Sequence, residues 1–326
     1  MPCLIGWSAR AIAIRNTPRR DAHMTVTSTS SGASDGASDG ASDGASMHVP
    51  LVASERPTRL VILGHPVAHS LSPLFQNAAL VHAGLAAHYE RLDVPPEALD
   101  ATLDALARDG VAGNVTIPHK EQVASRAMCS PLATRVGAVN TFWHERGALI
   151  GHNTDVAGVA AAVAMLYPHG IGDRACTLIG AGGSAAAVLV ALDTMGCGDL
   201  RVVSRTRGRA EALVARLGVR AKVVSSVDEA VAGVGLVINA TPIGLNDDDM
   251  PVAPALLAPD CAVFDLVYRR GETPWVRACR AMGHPSEDGL RMLLEQGAAA
   301  FECWFGMAAP RRVMWHALNV AATERQ

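Results

Sequence analysis

The chain has 326 residues, which is long for one compact domain of ordinary size and comfortable for two. Hydrophobic residues make up 49% of the chain and charged residues 18%, enough to build sizeable buried cores. A formal net charge of −3 gives no reason to expect nucleic acid or an anionic membrane surface as a partner. No run of about 18 apolar residues indicates a membrane span.

Cysteine and histidine usage argues against a metal site. No two of the 7 cysteines form a C-x-x-C pair, and their odd number and wide spacing disfavour a disulfide framework or a zinc site. His65 and His69 flank Pro66 in a predicted loop and have no acidic or cysteine partner at ligand spacing. We therefore expect no metal and a reducing, cytoplasmic setting.

Residues 1–58 differ in composition from the rest of the chain. The tetrapeptide GASD is repeated at 32–43, and no apolar side chain larger than alanine is present there to offset the entropy of ordering. We expect residues 1–58 to form a disordered low-complexity extension. The arginines and missing acids of residues 1–20 faintly resemble a transit peptide. We favour the other interpretation, a dispensable extension before a start near Met47.

Strands and helices are predicted to alternate from residue 59 onward. Short hydrophobic runs rich in β-branched residues predict buried strands, and longer amphipathic segments between them predict helices. The alternation indicates a mostly parallel sheet covered by helices. In this first part of the chain the predicted strands lie at 59–64, 88–94 and 111–116, the helices at 73–84, 96–108 and 120–136 with a break at Pro131, and a β-hairpin at 138–153.

A long helix predicted from Asp155 to Leu166 leads into a second α/β unit. Asp155 falls in the first turn of this helix, where the helix dipole favours a negative charge. The predicted strands of the second unit lie at 175–180, 199–204, 235–240 and 261–267, and its helices at 183–196 and 207–217, before three closing helices at 273–282, 289–303 and 308–322.

A glycine-rich turn, GAGGSA at 180–185, lies between a predicted strand and an alanine-rich helix. Such a turn lets backbone N–H groups approach a diphosphate at the helix N-terminus. It is an incomplete G-x-G-x-x-G, because Ala185 holds the third glycine position, but its strand–helix context favours a dinucleotide site over a plain tight turn. The next strand ends in SRTRGR at 204–209, without the acid that an NAD ribose requires. Arginine there suits a 2′-phosphate, so the sequence predicts NADP.

Lys120 and Asp155 are the predicted reacting pair. Lys120 ends NVTIPHK at 114–120, where the preceding strand would deliver Thr116 and Lys120 to the carboxyl edge of the sheet, the edge at which open α/β sheets bind ligands. Oxidation of a secondary alcohol needs a base for the hydroxyl proton and a group that holds this base. Each residue taken alone is more often a surface charge. Together they indicate a dehydrogenase for a small, polar, carboxylate-bearing substrate.

At this point the chain resembles the shikimate dehydrogenase family. The resemblance covers essentially all of residues 59–322. It is carried by nine blocks in the family's order: GHPVAHSLSP (64–73), NVTIPHKE (114–121), GAVNT (137–141), GHNTD (151–155), GAGGSA (180–185), SRT (204–206), NATPIG (239–244), DLVY (265–268) and DGLRMLLEQGAAAF (288–301).

The resemblance implies a two-domain α/β enzyme that reversibly reduces 3-dehydroshikimate to shikimate with NADPH, in the pathway through chorismate to the aromatic amino acids. The implied domains are a substrate-binding domain with a mostly parallel α/β sheet (59–155 with 290–326) and an NADP-binding, Rossmann-type doubly wound domain (156–289). Lys120 would be the proton donor and acceptor, with Asp155 beside it. The other implied substrate-binding residues are Ser70, Ser72 and Tyr268 for the carboxylate and Thr116, Asn140, Asp155 and Gln296 for the ring hydroxyls. The implied cofactor-binding residues are Gly180, Ala181, Gly182, Gly183 and Ser184 for the diphosphate, Ser204, Arg205, Thr206 and Arg209 for the adenosine phosphate, and Leu266 and Gly289 near the nicotinamide.

The chain departs from the family pattern at three places. His65 and Ser204 stand where asparagine is frequent, and residues 129–131 lack an acid that often follows the lysine. Alternatives therefore stay open: a paralogue for quinate or an aminated shikimate analogue, a non-catalytic NADP sensor, or a folate or glutamyl-tRNA relative. The Lys120–Asp155 pair argues against a sensor, and the S-x-S loop argues against the last. Both a monomer and a homodimer are compatible with the sequence.

Overall fold

A computed structural model describes residues 51–269 and 271–324. The expectation of disorder for residues 1–50 lies outside this part of the chain. Residues 51–58, the remainder of the predicted extension, are hydrogen-bonded to the body of the protein: the Ala53 N–H donates to the Cys303 carbonyl (2.8 Å) and the Ser54 N–H to a Glu145 carboxylate oxygen (2.7 Å).

The first sheet contains the hairpin that the sequence predicted. Its strand order is β2-β1-β3-β5-β6-β4, with β1 parallel to β2 and β3, and with β5 antiparallel to β3 and β6. The turn between β5 and β6 is made by Arg146 and Gly147, both with positive φ (49° and 81°), as a tight two-residue hairpin turn requires. The strands are β1 (Arg59–Gly64), β2 (His88–Asp93), β3 (Ala112–Val115), β4 (Met128–Cys129), β5 (Thr141–Glu145) and β6 (Ala148–His152).

The second sheet is wholly parallel, with strand order β12-β11-β10-β7-β8-β9. This is the doubly wound order, whose topological switch point lies between β7 and β10. Gly180 follows β7 with a φ of 115°, and a Cβ there would lie 2.8 Å from the Ala240 carbonyl oxygen, so the two turns meet closely at the switch point. The strands are β7 (Cys176–Ile179), β8 (Leu200–Val203), β9 (Ala221–Val223), β10 (Leu236–Asn239), β11 (Ala262–Asp265) and β12 (Ser286–Glu287).

The helices agree with the predicted segments except where elements are very short. The stretch 120–136 is two helices separated by β4, and the second begins at Pro131 behind Ser130, whose hydroxyl accepts the Ala133 N–H (3.2 Å). The helices are α1 (Ser72–His82), α2 (Leu99–Arg108), α3 (Lys120–Arg126), α4 (Pro131–Val136), α5 (Asp155–Leu166), α6 (Ala185–Thr194), α7 (Arg207–Leu217), α8 (Val227–Val231), α9 (Pro274–Ala281), α10 (Gly289–Phe305) and α11 (Arg311–Glu324).

Hydrophobic side chains cover both faces of both sheets, as the predicted α/β layering requires. The helices α5 and α10 pack against each other so closely that a Cβ on Gly158 would lie 2.8 Å from the Met292 carbonyl oxygen. This contact brings the start of α5, with Asp155, next to Gln296 on α10. Among the described residues, no helix has the length and apolar character needed to cross a membrane.

Candidate active site

Four segments meet at the carboxyl edge of the first sheet. The parallel strands β1 and β3 end there, and so the Ser70 loop and the Lys120 turn lie side by side. Because β5 runs antiparallel to β3, it begins at the same edge, directly after Asn140. The strand β6 then returns to this edge and delivers Asp155 at the start of α5.

Lys120 and Asp155 form a largely buried ion pair. The Lys120 Nζ donates to Asp155 Oδ2 over 2.7 Å, and the two side chains are 18% and 7% exposed. The second carboxylate oxygen accepts a hydrogen bond from Asn140 Nδ2 (2.8 Å), and the same amide nitrogen lies 3.3 Å from Gln296 Oε1. Lys120, Asp155, Asn140 and Gln296 therefore form one connected polar group.

A cavity of about 960 Å³ opens above this group. Hydroxyls, amides and the ion pair supply most of the polar groups in its wall, with His65, His69 and Arg269 as further members. This set suits a ligand with several hydroxyls and an acid. The substrate-binding residues predicted from the sequence all line it: Ser70, Ser72, Thr116, Lys120, Asn140, Asp155, Tyr268 and Gln296.

The loop with Ser70 and Ser72 is held in place from β2. Arg91 donates from Nε and Nη2 to the Ser70 carbonyl oxygen (3.0 and 2.6 Å), and the Ser72 N–H donates to the Ser70 hydroxyl (3.3 Å). Across the cavity, burial raises the pKa of the Tyr268 phenol, which keeps it protonated as a hydrogen-bond donor. Donors thus face the cavity from both sides, as a carboxylate site requires.

The glycine-rich turn borders the same cavity. Gly182, Gly183 and Ser184 line it, and a Cβ on either glycine would meet no heavy atom within 4 Å, so this turn has open space in front of its backbone. It leads into α6, which begins at Ala185 and is long enough to direct a helix dipole at an anion. The turn therefore fits the diphosphate of a dinucleotide, with Gly180 and Ala181 at its base.

The arginines after β8 differ in what they contact. Arg207 pairs with Glu211 (2.7 Å) and also donates to Ser225 Oγ (2.9 Å). Arg205 and Arg209 are exposed and form no ion pair with any residue in 51–269 or 271–324, so their guanidinium groups can receive a phosphate. Ser204 and Thr206 lie beside them, and Arg209 also borders a smaller cavity next to the glycine-rich turn.

Leu266 and Gly289 lie together where the two sheets face each other across the cavity. A Cβ on Gly289 would lie 2.2 Å from the Leu266 carbonyl oxygen, so glycine is required for this approach. The loop with Leu266 and Tyr268 is fixed by Asp265, which accepts from Asn239 Nδ2 and Thr273 Oγ1 (both 2.8 Å). Burial raises the pKa of Asp265 in spite of these donors.

Sequence reasoning missed Asn114 and Thr154. Asn114 lines the cavity and donates from Nδ2 to Thr141 Oγ1 and to the Asn140 carbonyl (both 3.0 Å). The Thr154 N–H donates to Asn140 Oδ1 (2.7 Å). Asn114 begins the block NVTIPHKE and Thr154 lies in the block GHNTD. The signal that could have identified Asn114 was an asparagine near the end of an apolar strand.

Two of the three departures from the family pattern contact nearby side chains. His65 lines the cavity and its Nδ1 lies 3.3 Å from Asp93 Oδ2. Ser130, in the segment without an acid, is 2.7 Å from His152 Nδ1 in addition to capping α4. In the described part of the chain, no three His, Cys, Asp or Glu side chains form a group that could hold a metal ion.

Comparison with known families and proteins agrees with this arrangement. Residues 62–142 match the shikimate dehydrogenase substrate binding domain, 164–244 match shikimate / quinate 5-dehydrogenase, and 289–318 match the shikimate 5′-dehydrogenase C-terminal domain. The chain is 42% identical over 290 residues to shikimate dehydrogenase (NADP(+)) from Symbiobacterium thermophilum, covering 84% of this chain and 97% of that protein.

Two solved structures bear on the substrate and the cofactor. Shikimate 5-dehydrogenase from Thermus thermophilus, in complex with NADP(H) and shikimate, has a TM-score of 0.75 and 37% identity over 81% of this chain and 99% of that one. Quinate dehydrogenase from Corynebacterium glutamicum, in complex with NAD, has a TM-score of 0.75 and 30% identity over 81% and 99% of the two chains.

The fold and the site together define a two-domain oxidoreductase with a Rossmann-type dinucleotide-binding sheet. At 42% identity over nearly the whole length of a relative, the match is also specific. The chain belongs to the shikimate dehydrogenase family.

Proposed function

We propose that this protein is an NADP-dependent shikimate dehydrogenase, which reversibly reduces 3-dehydroshikimate to shikimate. One observation carries the proposal: the Lys120–Asp155 ion pair, 2.7 Å between Nζ and Oδ2, lies in a cavity that also borders the glycine-rich turn. A proton carrier and a cofactor site thus share one cavity. We assign residues 59–155 with 290–326 to substrate binding and residues 156–289 to NADP binding.

The cofactor, when bound, supplies the hydride. The Lys120 ammonium would donate a proton to the substrate oxygen as the carbonyl becomes a hydroxyl, and the neutral amine would accept this proton in the reverse direction. Asp155 holds the ammonium in place and Asn140 holds Asp155. Ser70 and Ser72 would bind the substrate carboxylate together with Tyr268. Thr116 and Gln296 would hold the ring hydroxyls beside Asn140 and Asp155.

The choice of lysine at position 120 supports a chemical role. Among the 28 lysines and arginines of the chain, only Lys120 and Lys222 are lysines. An arginine side chain stays protonated in proteins and cannot give up a proton, whereas a lysine can. Nearly all cationic side chains of this protein are arginines. One of the two that can give up a proton, Lys120, lines the cavity.

The cofactor preference is proposed from the end of β8. Arg205 and Arg209 are unpaired within the described residues and suit a 2′-phosphate, and no acid stands there to bind an NAD ribose. Quinate dehydrogenase with NAD is the alternative to be tested. The net charge of −3 gives no support for a nucleic-acid partner. We also propose a cytoplasmic location, a role in the synthesis of chorismate and the aromatic amino acids, and a monomeric or homodimeric state.

The test is a steady-state assay of shikimate and quinate, each with NADP and with NAD. We expect shikimate with NADP to give the highest kcat/KM; no turnover of shikimate with NADP would overturn the proposal. Lys120→Ala should lower kcat by about 10²–10⁴-fold, the usual contribution of a general acid–base, while shikimate binding stays measurable by calorimetry. Lys222→Ala is the matched control, because Lys222 is exposed and pairs with Glu229 (3.0 Å) away from the cavity.

A further inference from the structure

A chain of buried hydrogen bonds runs from β2 to the carboxylate of Asp155. The Tyr89 hydroxyl donates to Asn114 Oδ1 (2.7 Å), and Asn114 Nδ2 donates to Thr141 Oγ1 (3.0 Å). The Thr141 hydroxyl donates to Asn140 Oδ1 (3.1 Å), and Asn140 Nδ2 donates to Asp155 Oδ1 (2.8 Å). Every one of the five residues, taken with its backbone, is at most 5% exposed.

Each hydrogen bond of this chain can be donated in one direction, toward the carboxylate; the Thr141 hydroxyl has Thr154 Oγ1 (3.0 Å) as a second partner beside Asn140 Oδ1. In a chain of this kind each hydrogen bond polarises the next, so that the last donor, Asn140 Nδ2, binds the negative charge more strongly than an isolated amide would. Burial raises the pKa of Tyr89 well above that of a free phenol, and Tyr89 therefore remains a donor at the start of the chain. The chain both supports the charge of Asp155 and fixes its rotamer.

The chain also fixes which way the Asn140 amide faces. Asn140 Oδ1 accepts from the Thr154 N–H (2.7 Å) and from the Thr141 hydroxyl, which leaves Nδ2 as the only group of this amide that can face Asp155. With its amide reversed, Asn140 would present an oxygen to the carboxylate, and the two like dipoles would repel. Lys120, held by the other oxygen of Asp155, would lose its fixed position.

We infer that Tyr89, Asn114 and Thr141 are positioning residues for proton transfer by the Lys120–Asp155 pair. They act through Asn140 and Asp155, and of the three only Asn114 lines the cavity. The inference rests on the proposed function for the substrate and for the role of the Lys120–Asp155 pair in proton transfer.

Three variants of the full-length protein test the inference. Thr141→Val keeps the shape of the side chain and removes the hydroxyl, Thr141→Ser keeps the hydroxyl and removes a methyl group, and Tyr89→Phe removes the first donor. The matched control is Thr177→Val, because Thr177 is equally buried, in β7 of the other sheet, and its hydroxyl donates to the Ala230 carbonyl of α8 (2.5 Å). Each protein is assayed for kcat, KM and the solvent deuterium isotope effect on kcat, and its melting temperature is measured.

We expect Thr141→Val to lower kcat about tenfold, the loss of one hydrogen bond near a charge, while the KM for NADP stays within about twofold. Its solvent isotope effect should rise, because proton transfer becomes more rate-limiting. Thr141→Ser should recover most of the lost kcat even where it melts lower than Thr141→Val. Tyr89→Phe should change kcat in the same direction and by less, which tests the chain a second time if Thr141→Val is unstable.

A kcat for Thr141→Val equal to that of Thr177→Val would overturn the inference, as would a Thr141→Ser variant as slow as Thr141→Val. A wild-type protein that turns over none of the four substrate–cofactor pairs would overturn both the inference and the proposed function. Failure of the proposed function alone has a different signature, since the wild-type protein would then turn over another of these pairs. The variants are in that case compared on whichever pair the wild-type protein uses, and the ratio of variant to wild-type kcat still decides the inference.

Discussion

Asp288 carries an unfavourable charge at neutral pH. It caps α10 by accepting the Leu290 N–H (2.9 Å). Burial is the largest cause that raises its pKa, to about 6; repulsion by Glu287 and Asp265 adds to the rise, and the Leu290 N–H and Arg280 oppose it. Its carboxyl therefore titrates close to physiological pH, at the first residue before the predicted nicotinamide contact Gly289.

The sign of the effect on stability follows from the two pKa values of Asp288. The folded-state pKa of about 6 lies above the 3.8 of a free aspartate, so the folded protein binds more protons than the unfolded chain between these values. The stability that this group contributes is complete below pH 3.8 and is lost as the pH rises to 6. A difference of 2.2 pKa units corresponds to about 3 kcal/mol at neutral pH.

Asp288→Asn should remove this penalty and keep the cap, because asparagine accepts the same N–H. The variant also gives up the attraction of a carboxylate to a helix N-terminus, worth up to about 1 kcal/mol. We therefore expect it to be more stable than the wild-type protein by about 2 kcal/mol at pH 7.5, or about 3 °C in melting temperature for a folded chain of this size. This gain should disappear as the pH approaches 4, where both proteins carry a neutral side chain.

Calorimetric melting of both proteins in matched buffers from pH 4 to 8 measures the difference. Other carboxylates titrate in both proteins and largely cancel when the melting curves are compared. Asp173→Asn, a change at an exposed aspartate, is the control and should give a small difference that does not depend on pH. A stabilisation by Asp288→Asn that is constant across the range, or a wild-type protein that is the more stable at pH 7.5, would refute the reasoning.

The remaining predictions concern the cofactor site. Arg209→Ala should raise the KM for NADP about tenfold or more and leave that for NAD unchanged, because it removes a charge-assisted contact to the 2′-phosphate. Arg207→Ala is the control; equal KM changes for both cofactors would contradict the assignment. Gly289→Ala should lower the melting temperature and raise the KM for NADP, because its Cβ would lie 2.2 Å from the Leu266 carbonyl oxygen. Gly198→Ala, where a Cβ meets nothing within 4 Å, should do neither, and a fully active Gly289→Ala variant would show that the loop can move aside.

The longer elements could be predicted because the hydrophobic pattern repeats over several turns. The predicted bounds of α5 (155–166) and α7 (207–217) agree with the structure to the residue. The strand β9 and the helix α8 were not predicted, because three and five residues are too few to show a period. The existence of β9 depends on its parallel pairing with β8, which is a long-range contact and leaves no local pattern.

Site residues could be predicted as far as their edge of the sheet, and no further. The rule that parallel strands present their carboxyl ends together was sufficient to predict that Thr116 and Lys120 lie together at this edge, where both line the cavity. It gave no information about which amide faces which carboxylate. The contact between Asn140 and Asp155 depends on two side-chain rotamers and on a third group, the Thr154 N–H, that fixes one of them.

The register between β3 and β5 explains why the site depends on an antiparallel strand. Asn114 lies opposite Thr141 in this pairing, and the residue before Thr141 is Asn140, so one strand pair sets both the buried chain and the amide that contacts Asp155. A parallel strand at this place would put Asn140 at the opposite edge of the sheet. A slip of one residue would turn Thr141 to the other face and leave Asn114 Nδ2 without its hydroxyl partner. The tight turn at Arg146 and Gly147 closes the β5–β6 hairpin, which leads into Asp155 at the start of α5. The pairing of these two strands therefore determines where the carboxylate beside Lys120 lies.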